Sequence, residues 1–369
     1  MKKILLCFGT RPEAIKMAPL YHEFQESSFE VKVCVTAQHR EMLDQVLDFF
    51  EVKPDYDLNL MQPNQSLNEL SSKIIFEIDK VLKIEKPDLV LVHGDTTTSS
   101  MVALAAFHLG IKVGYVEAGL RTYNKQAPFP EEINRQITSR IVDVHFTPTK
   151  QATQNLLNEG IFPNSIIETG NTVIDALFWT IDKIEKSQYI HPEIEELKNT
   201  IPTSKKIILV TGHRRENFGE GIKNLCVGLL EIAKREDVTI VFPVHLNPNV
   251  KDVVHELLSN KENIQLIEPV SYPAFVWLMQ HSFLIVTDSG GIQEEAPSLG
   301  KPVIVTRTVS ERSEGVEAGF STLVGTDKNE IFNTIQDVLN NFTGFKTPTN
   351  PYGNGKASEI IVDYLLKQR

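Results

Sequence analysis

The sequence predicts an α/β protein of two doubly wound, Rossmann-like domains whose parallel sheets face each other across a cleft. Three observations carry this expectation. Short apolar runs alternate with longer amphipathic stretches through almost all of the 369 residues. Several of those runs are apolar on both faces, as strands buried between helix layers are. The chain is also longer than one hydrophobic core usually organises. A βαβα rhythm of this kind makes a parallel sheet with right-handed crossovers.

In the first half, strands are expected at Lys3–Phe8, Val31–Thr36, Leu89–His93, Val113–Glu117, Val144–Thr147 and Ile166–Glu168. Helices are expected near 13–26, 41–50, 66–85, 97–109, 131–141 and 150–158. The first run follows Lys2 and Lys3, but its apolar part lasts only about five residues, short of the roughly 7–15 of a signal-peptide core. A polar stretch near 186–204 then separates a second series. Its strands are expected at Lys206–Thr211, Val238–Val244, Ile264–Ile267, Phe283–Thr287 and Pro302–Thr306. Its helices fall near 221–235, 249–259, 273–280, 291–299 and 328–341. The segment Gly344–Gly355 is rich in Gly, Pro, Thr and Asn, and a last helix follows over 356–368. The domains are therefore expected at 1–170 and 171–355, leaving 356–369 as a terminal helix.

Composition removes several function classes. Thirty-seven Lys and Arg against 48 Asp and Glu give a net charge of −11. A general nucleic-acid binder needs a basic face to displace counterions, so the balance argues against that class, although not against a local cationic pocket. Cys7, Cys34 and Cys226 are scattered and lack CxxC spacing, which argues for reduced thiols and against a disulfide frame or a metal site. No apolar stretch approaches the ~20 residues of a membrane span. A cytoplasmic protein with no membrane partner is the expectation.

Ligands of open parallel sheets bind beyond the carboxyl ends of the strands, so the residues there matter most. The first strand stops at Phe8-Gly9-Thr10-Arg11-Pro12-Glu13, with Lys16 a turn later. Pro12 fits the first helical position, where its missing N–H is not needed. Arg11 and Lys16 then lie by a positive helix N-terminus suited to phosphate, or form an exposed basic turn. The dinucleotide fingerprint GxGxxG is absent, and with it the usual sign of a nicotinamide cofactor. Later ends carry Asp95 and Glu117, and Glu131-Glu132 opens a helix. Asp95 also suits an N-cap, and Glu131 or Glu132 a first-turn acid. Glu117, ending a buried-type strand, fits neither role. Carboxylates converging on one cleft mouth suit acid/base chemistry, because burial and neighbouring charge push their pKa values apart.

In the second series, Lys206–Thr211 ends in Gly212-His213-Arg214-Arg215. A histidine beside two arginines at a strand end suits a pyrophosphate, or reads as a solvated basic loop. Ser289-Gly290-Gly291 joins a strand to a helix, where paired glycines let backbone approach an anion. Glu295, one turn deeper, is placed to accept from ribose hydroxyls. Tyr272, Phe275 and Trp277 suit the core, with the wall of a uracil pocket as a second reading of Phe275.

At these residues the chain resembles the bacterial non-hydrolysing UDP-N-acetylglucosamine 2-epimerases, which have the GT-B fold. The matching segments are Phe-Gly-Thr-Arg-Pro-Glu-Ala-Ile-Lys-Met-Ala-Pro at 8–19, Thr-Ala-Gln-His-Arg-Glu-Met-Leu-Asp-Gln at 36–45, His-Gly-Asp-Thr-Thr-Thr at 93–98 and Val-Glu-Ala-Gly-Leu-Arg-Thr at 116–122. Gly-His-Arg-Arg-Glu-Asn at 212–217, Pro-Val-His-Leu-Asn-Pro at 243–248, the run 287–300 and Asn-Pro-Tyr-Gly at 350–353 complete the set. The resemblance implies reversible conversion of UDP-GlcNAc to UDP-ManNAc, without a cofactor, for surface polysaccharide or sialic acid precursors. In it UDP leaves by anti elimination to give 2-acetamidoglucal and is then re-added.

Carried over by motif, Asp95, Glu117 and Glu131 are the acid/base carboxylates, and His213, Arg11 and Lys16 serve UDP. Ser289, Gly290 and Gly291 hold the diphosphate, Glu295 the ribose, Val270 and Phe275 the uracil, and Arg312 the nucleotide. The family pattern Thr-Glu-Arg-Pro-Glu reads Ser310-Glu311-Arg312-Ser313-Glu314 here, so the loop of Arg312 loses a proline restraint. The resemblance further implies a homodimer, a final helix packed back on the first domain, and an activating second UDP-GlcNAc. Gln38, His39, Arg40, Gln65, Glu132, Arg214 and His245 match the region of that second ligand. A 2-epimerase of another UDP-N-acetylamino sugar, a GT-B glycosyltransferase and a non-catalytic UDP-sugar binder are the alternatives.

Overall fold

The computed structural model describes residues 2–36, 40–62, 65–186, 188–310, 312–345 and 349–368, the side chains of 40–42 excepted. The chain divides into two compact units, Met1–Ala176 with Tyr352–Arg369, and Leu177–Pro351. In the first, β1 (Lys3–Phe8) leads into α1 (Arg11–Gln25), β2 (Glu30–Val35), α2 (Arg40–Phe49) and a two-residue β3 (Tyr56–Asp57). There follow α3 (Leu67–Glu85), β4 (Leu89–His93), α4 (Thr97–His108), β5 (Lys112–Val116) and α5 (Glu131–Ile141). β6 (Val144–Thr147), α6 (Lys150–Asn158), β7 (Ile166–Glu168) and α7 (Thr172–Glu185) complete the run, with α7 crossing the unit boundary. The described strands are all parallel, ordered β3-β2-β1-β4-β5-β6-β7.

The local reasons are visible in the residues. Ile4–Phe8 are at most 1% exposed, so β1 is apolar because helices cover both its faces. α3 buries Leu70, Ile74, Ile78, Val81 and Leu82 along one stripe, and Ser66 and Glu69 cap its start reciprocally. α1 starts from the same kind of box between Thr10 and Glu13. Thr10 takes the N-cap and Arg11 the first helical position, so Pro12 sits at the second rather than the first; its missing N–H has no intrahelical partner there either.

In the second unit, α8 (Pro192–Thr200) and β8 (Lys206–Thr211) precede α9 (Glu220–Ile232), β9 (Val238–Pro243), α10 (Pro248–Leu258) and β10 (Ile264–Ile267). α11 (Tyr272–His281), β11 (Leu284–Thr287), α12 (Gly290–Glu295) and β12 (Val303–Val305) follow. α13 (Ser313–Glu317), β13 (Ser321–Leu323) and α14 (Lys328–Asn341) end the unit, whose parallel sheet is ordered β10-β9-β8-β11-β12-β13. The chain then returns to the first unit with α15 (Ala357–Lys367), which lies against α1. The buried Asp175 carboxylate accepts the N–H groups of Ala357 and Ser358 at 3.2 and 2.7 Å, closing the N-terminus of α15.

α8 lies inside the polar stretch that separates the two series, where no helix is expected from sequence, because only Ile194 and Leu197 of it are buried and its apolar stripe is too thin to show. No helix of the described residues is long and apolar enough to cross a membrane. In each sheet the winding reverses beside the first strand of its series, between β1 and β4 and between β8 and β11. A crevice forms at such a switch point beyond the strand ends.

Candidate active site

At the switch point of the first unit, Gly9 follows β1 where a Cβ would stand 2.1 Å from the Thr36 hydroxyl, so only glycine fits. Glu13, 2% exposed, accepts the N–H groups of Gly9 and Thr10 and the hydroxyls of Thr96 and Ser99, stitching the ends of β1 and β4 together. Burial pushes its carboxyl up, and those hydrogen bonds oppose the shift. Lys16, also buried, pairs with Glu117.

Glu117 stands just past β5 with φ of +64°, a left-handed conformation that costs a residue with a Cβ of order 1 kcal/mol or more and clusters at functional sites. Asn171 Nδ2 donates to its Oε2 at 2.9 Å, and His93 Nε2 lies 3.8 Å from the same oxygen. Asp95 accepts from Arg135 Nη2 at 2.6 Å and Nε at 3.1 Å, a two-pronged grip from α5. Oε2 of Glu131 is buried with no hydrogen-bond partner. Its neighbour Glu132, fully buried, accepts the N–H groups of Thr122 and Tyr123 and so shapes the loop before α5. Arg11 is half-buried at the start of α1.

His93 is 3% exposed and neither ring nitrogen has a partner. Burial pushes its pKa down to about 4; Glu117 opposes that shift and Lys16 adds to it. The ring is therefore neutral when folded, while the unfolded chain takes up a proton below the ordinary value of 6.5. Stability supplied by neutral His93 is present above pH 6.5 and is lost as pH falls toward 4. Between pH 7 and 5 this is roughly 2 kcal/mol. Urea unfolding of His93→Gln is expected to show that much less acid sensitivity than wild type; equal slopes would contradict a buried neutral ring.

The switch point of the second unit is organised by Asp288, wholly buried after β11. It accepts the N–H of His213 at 3.0 Å, that of Arg214 at 2.9 Å and Asn217 Nδ2 at 3.1 Å. Burial works to raise its carboxyl, but the His213 ring and these bonds outweigh it and hold it below the usual range. His213 is half-buried, its Nδ1 3.2 Å from Asp288 Oδ1 and its ring stacked on His245 at 5.8 Å. Burial and the His213 ring lower the pKa of His245.

Ser289 caps α12 with extended backbone. At Gly290 a Cβ would approach Arg312 Cζ to 2.9 Å, so a side chain there would push the guanidinium aside. Arg312 is held by buried Glu294 through Nε at 3.0 Å, and its N–H by Ser310 Oγ at 3.1 Å. Ser310 also donates to Gln293 at 2.7 Å, so side-chain bonds restrain the loop ahead of Ser313, which opens α13. A Cβ on Gly291 would be 3.9 Å from Glu295 Oε2, while Glu295 Oε1 accepts from the Tyr272 hydroxyl at 2.8 Å. Val270 and Phe275, at the start of α11, are part-exposed.

The structure thus brings Lys16, Asp95 and Glu117 to one switch point and His213 and Ser289–Gly291 to the other. Of the residues matched to a second ligand, Arg214 and His245 adjoin His213, and Gln65 is half-buried with an unpartnered Nε2. Gln38, His39 and the side chain of Arg40 lie outside the described residues. Glu13, His93, Arg135, Asn171, Asp288 and Glu294 were not singled out from sequence. The strand-end rule reaches His93, Asn171 and Asp288, which end or follow β4, β7 and β11; Arg135 and Glu294 lie on helices and carry no such signal.

The sequence profile of the UDP-N-acetylglucosamine 2-epimerase family matches residues 22–366. A UDP-N-acetylglucosamine 2-epimerase of Salmonella typhimurium is 52% identical over 372 residues, covering 100% of this chain and 99% of that one. The crystal structure of the Neisseria meningitidis UDP-GlcNAc 2-epimerase bound to UDP-GlcNAc is 51% identical, covers 99% of this chain and all of that one, and superposes with a TM-score of 0.90. That of the Methanocaldococcus jannaschii enzyme with UDP-GlcNAc and UDP is 37% identical, with 99% of each chain covered and a TM-score of 0.83. With the profile spanning nearly the whole chain and half of all residues shared with such relatives, this protein belongs to the UDP-N-acetylglucosamine 2-epimerase family.

Proposed function

We propose that the protein interconverts UDP-GlcNAc and UDP-ManNAc by eliminating and re-adding UDP. The observation that carries this reading is the division of labour between two switch points, one with acid/base carboxylates around a buried lysine, the other with a histidine and a glycine turn beside an arginine. A first-unit carboxylate takes the proton from C2, the C–H electrons form the C1=C2 bond, and UDP leaves with the C1–O pair. Return of a proton to the opposite face of C2, with re-addition of UDP at C1, gives the epimer. Asp95, Glu117 and Glu131 supply the carboxylates.

Arg11, Lys16 and His213 balance the charge that grows on departing UDP. Ser289, Gly290 and Gly291 bind the diphosphate, Glu295 the ribose, Val270 and Phe275 the uracil, and Arg312 the nucleotide. A homodimer, activation by a second UDP-GlcNAc near Gln65, Arg214 and His245, and supply of a surface-polymer or sialic acid precursor belong to the same reading.

Deuterium oxide tests the route. UDP-ManNAc formed there from UDP-GlcNAc alone is expected to carry deuterium at C2 in its proton NMR spectrum. Product that retains the original hydrogen would reject elimination. Turnover that needs an acceptor would favour a glycosyltransferase.

A further inference from the structure

We propose that Asn171 is a positioning residue for Glu117, its carboxamide holding one carboxylate oxygen so that the group points in a fixed direction. This rests on the reading of Glu117 as an acid/base group. Asn171 is 2% exposed, and the two ends of its side-chain amide bond in opposite senses. Its Oδ1 accepts the N–H of Val173 at 3.0 Å, which fixes which end of the amide is oxygen. The NH₂ end is thereby turned to Glu117 Oε2 at 2.9 Å. Lys16 bonds the same oxygen, so two donors on different elements restrain one rotor. Oε1 lies on the Gly94 side, 3.8 Å from where a Cβ on that glycine would be.

The support for Asn171 is itself built. Its N–H donates to the Tyr352 carbonyl at 2.7 Å. Gly170 and Gly353 pack backbone to backbone, a Cβ on Gly170 standing 3.2 Å from the Gly353 Cα. This gives Tyr352 and Gly353 of the Asn-Pro-Tyr-Gly segment, for which the proposed chemistry has no use, a place behind Asn171. Asn350 of the same segment belongs to the second unit, where it donates to the Glu294 carbonyl at 2.8 Å and to Ser298 Oγ at 2.7 Å.

A capping residue at the start of α7 would need only the oxygen, and aspartate would serve as well. Glu117 needs the nitrogen. Asn171→Asp therefore separates the two roles, since it keeps the acceptor for Val173 and replaces the donor with a like charge. The expected result is a folded protein with unchanged UDP affinity and a melting temperature lowered by the like charge beside Glu117, kcat lower by at least ~10-fold at pH 7 with KM little altered, and an acidic limb of kcat moved up by about one pH unit. Asn171→Ser, which retains a donor, is expected to recover part of kcat.

Titration of the Glu117 carboxyl by ¹³C NMR, assigned with Glu117→Gln, gives a readout independent of turnover and is expected to move upward in Asn171→Asp. An unmoved Glu117 titration, or a kcat profile matching wild type, would overturn the positioning role. Lack of C2 exchange in the wild-type protein would instead strike at the reading of its activity, while the Glu117 titration still decides the role of Asn171.

Discussion

Replacing Glu117 by glutamine is expected to lower kcat by ~10³-fold, with UDP affinity within about threefold of wild type, because one group of the acid/base machinery is worth 10²–10⁴ in rate. The backbone states the reason for so large a cost. A non-glycine residue at φ of +64° persists only where its surroundings over-determine it, and Lys16 and Asn171 do that for Glu117. Glutamine keeps the shape and loses both the charge and the proton-accepting oxygen. It also leaves Lys16 buried beside a neutral partner, so stability should fall by about 3 kcal/mol, the scale of breaking a buried ion pair from one side. The two effects separate in the assay: exchange at C2 collapses at temperatures where circular dichroism still reports folded protein. Near-native exchange in Glu117→Gln would remove Glu117 from the acid/base set and leave Asp95 and Glu131 to carry it.

Much of this arrangement is legible in the sequence for a physical reason. Strands such as β1 and β4 are apolar throughout, so period and length alone mark them, and the strand-end rule then singles out Lys16, Asp95, Glu117, His213 and Ser289–Gly291. What stays hidden falls into two kinds. Short or thinly striped elements (β3, β13, α8) give too few residues for a period, as the two buried side chains of α8 illustrate. Partners brought by tertiary contact are the other kind. Asp95 suits an N-cap by sequence, yet Thr96 caps α4 while Asp95 meets Arg135, 40 residues away. Glu131 and Glu132 are neighbours of identical type, and folding alone assigns one to the loop at 122–123 and leaves the other with an unpartnered oxygen.

His213→Ala is expected to cost about 2–3 kcal/mol of transition-state stabilisation, or ~30–150-fold in kcat/KM, the scale of removing one preorganised donor from a developing anion. The Asp288 carboxylate beside Nδ1 makes that nitrogen a donor and turns the Nε2 edge of the ring outward. Stacking on His245 limits the ring's tilt, so little reorganisation is required when negative charge grows on the leaving phosphate. The loss should fall on kcat more than on UDP affinity, because the proposed reading also assigns ground-state UDP to the Gly290–Gly291 turn and Arg312. The fold should tolerate the change, since Asp288 keeps the N–H groups of His213 and Arg214 and the Asn217 amide as donors. Asp288→Asn makes the contrast: it substitutes an amide for the acceptor of those bonds and is expected to lower the melting temperature together with kcat. Steady-state kinetics with UDP titration calorimetry distinguish the outcomes. A His213→Ala protein that turns over at the wild-type rate and merely binds UDP more weakly would make the histidine a ground-state contact and move the work of leaving-group stabilisation to Arg11 and Lys16.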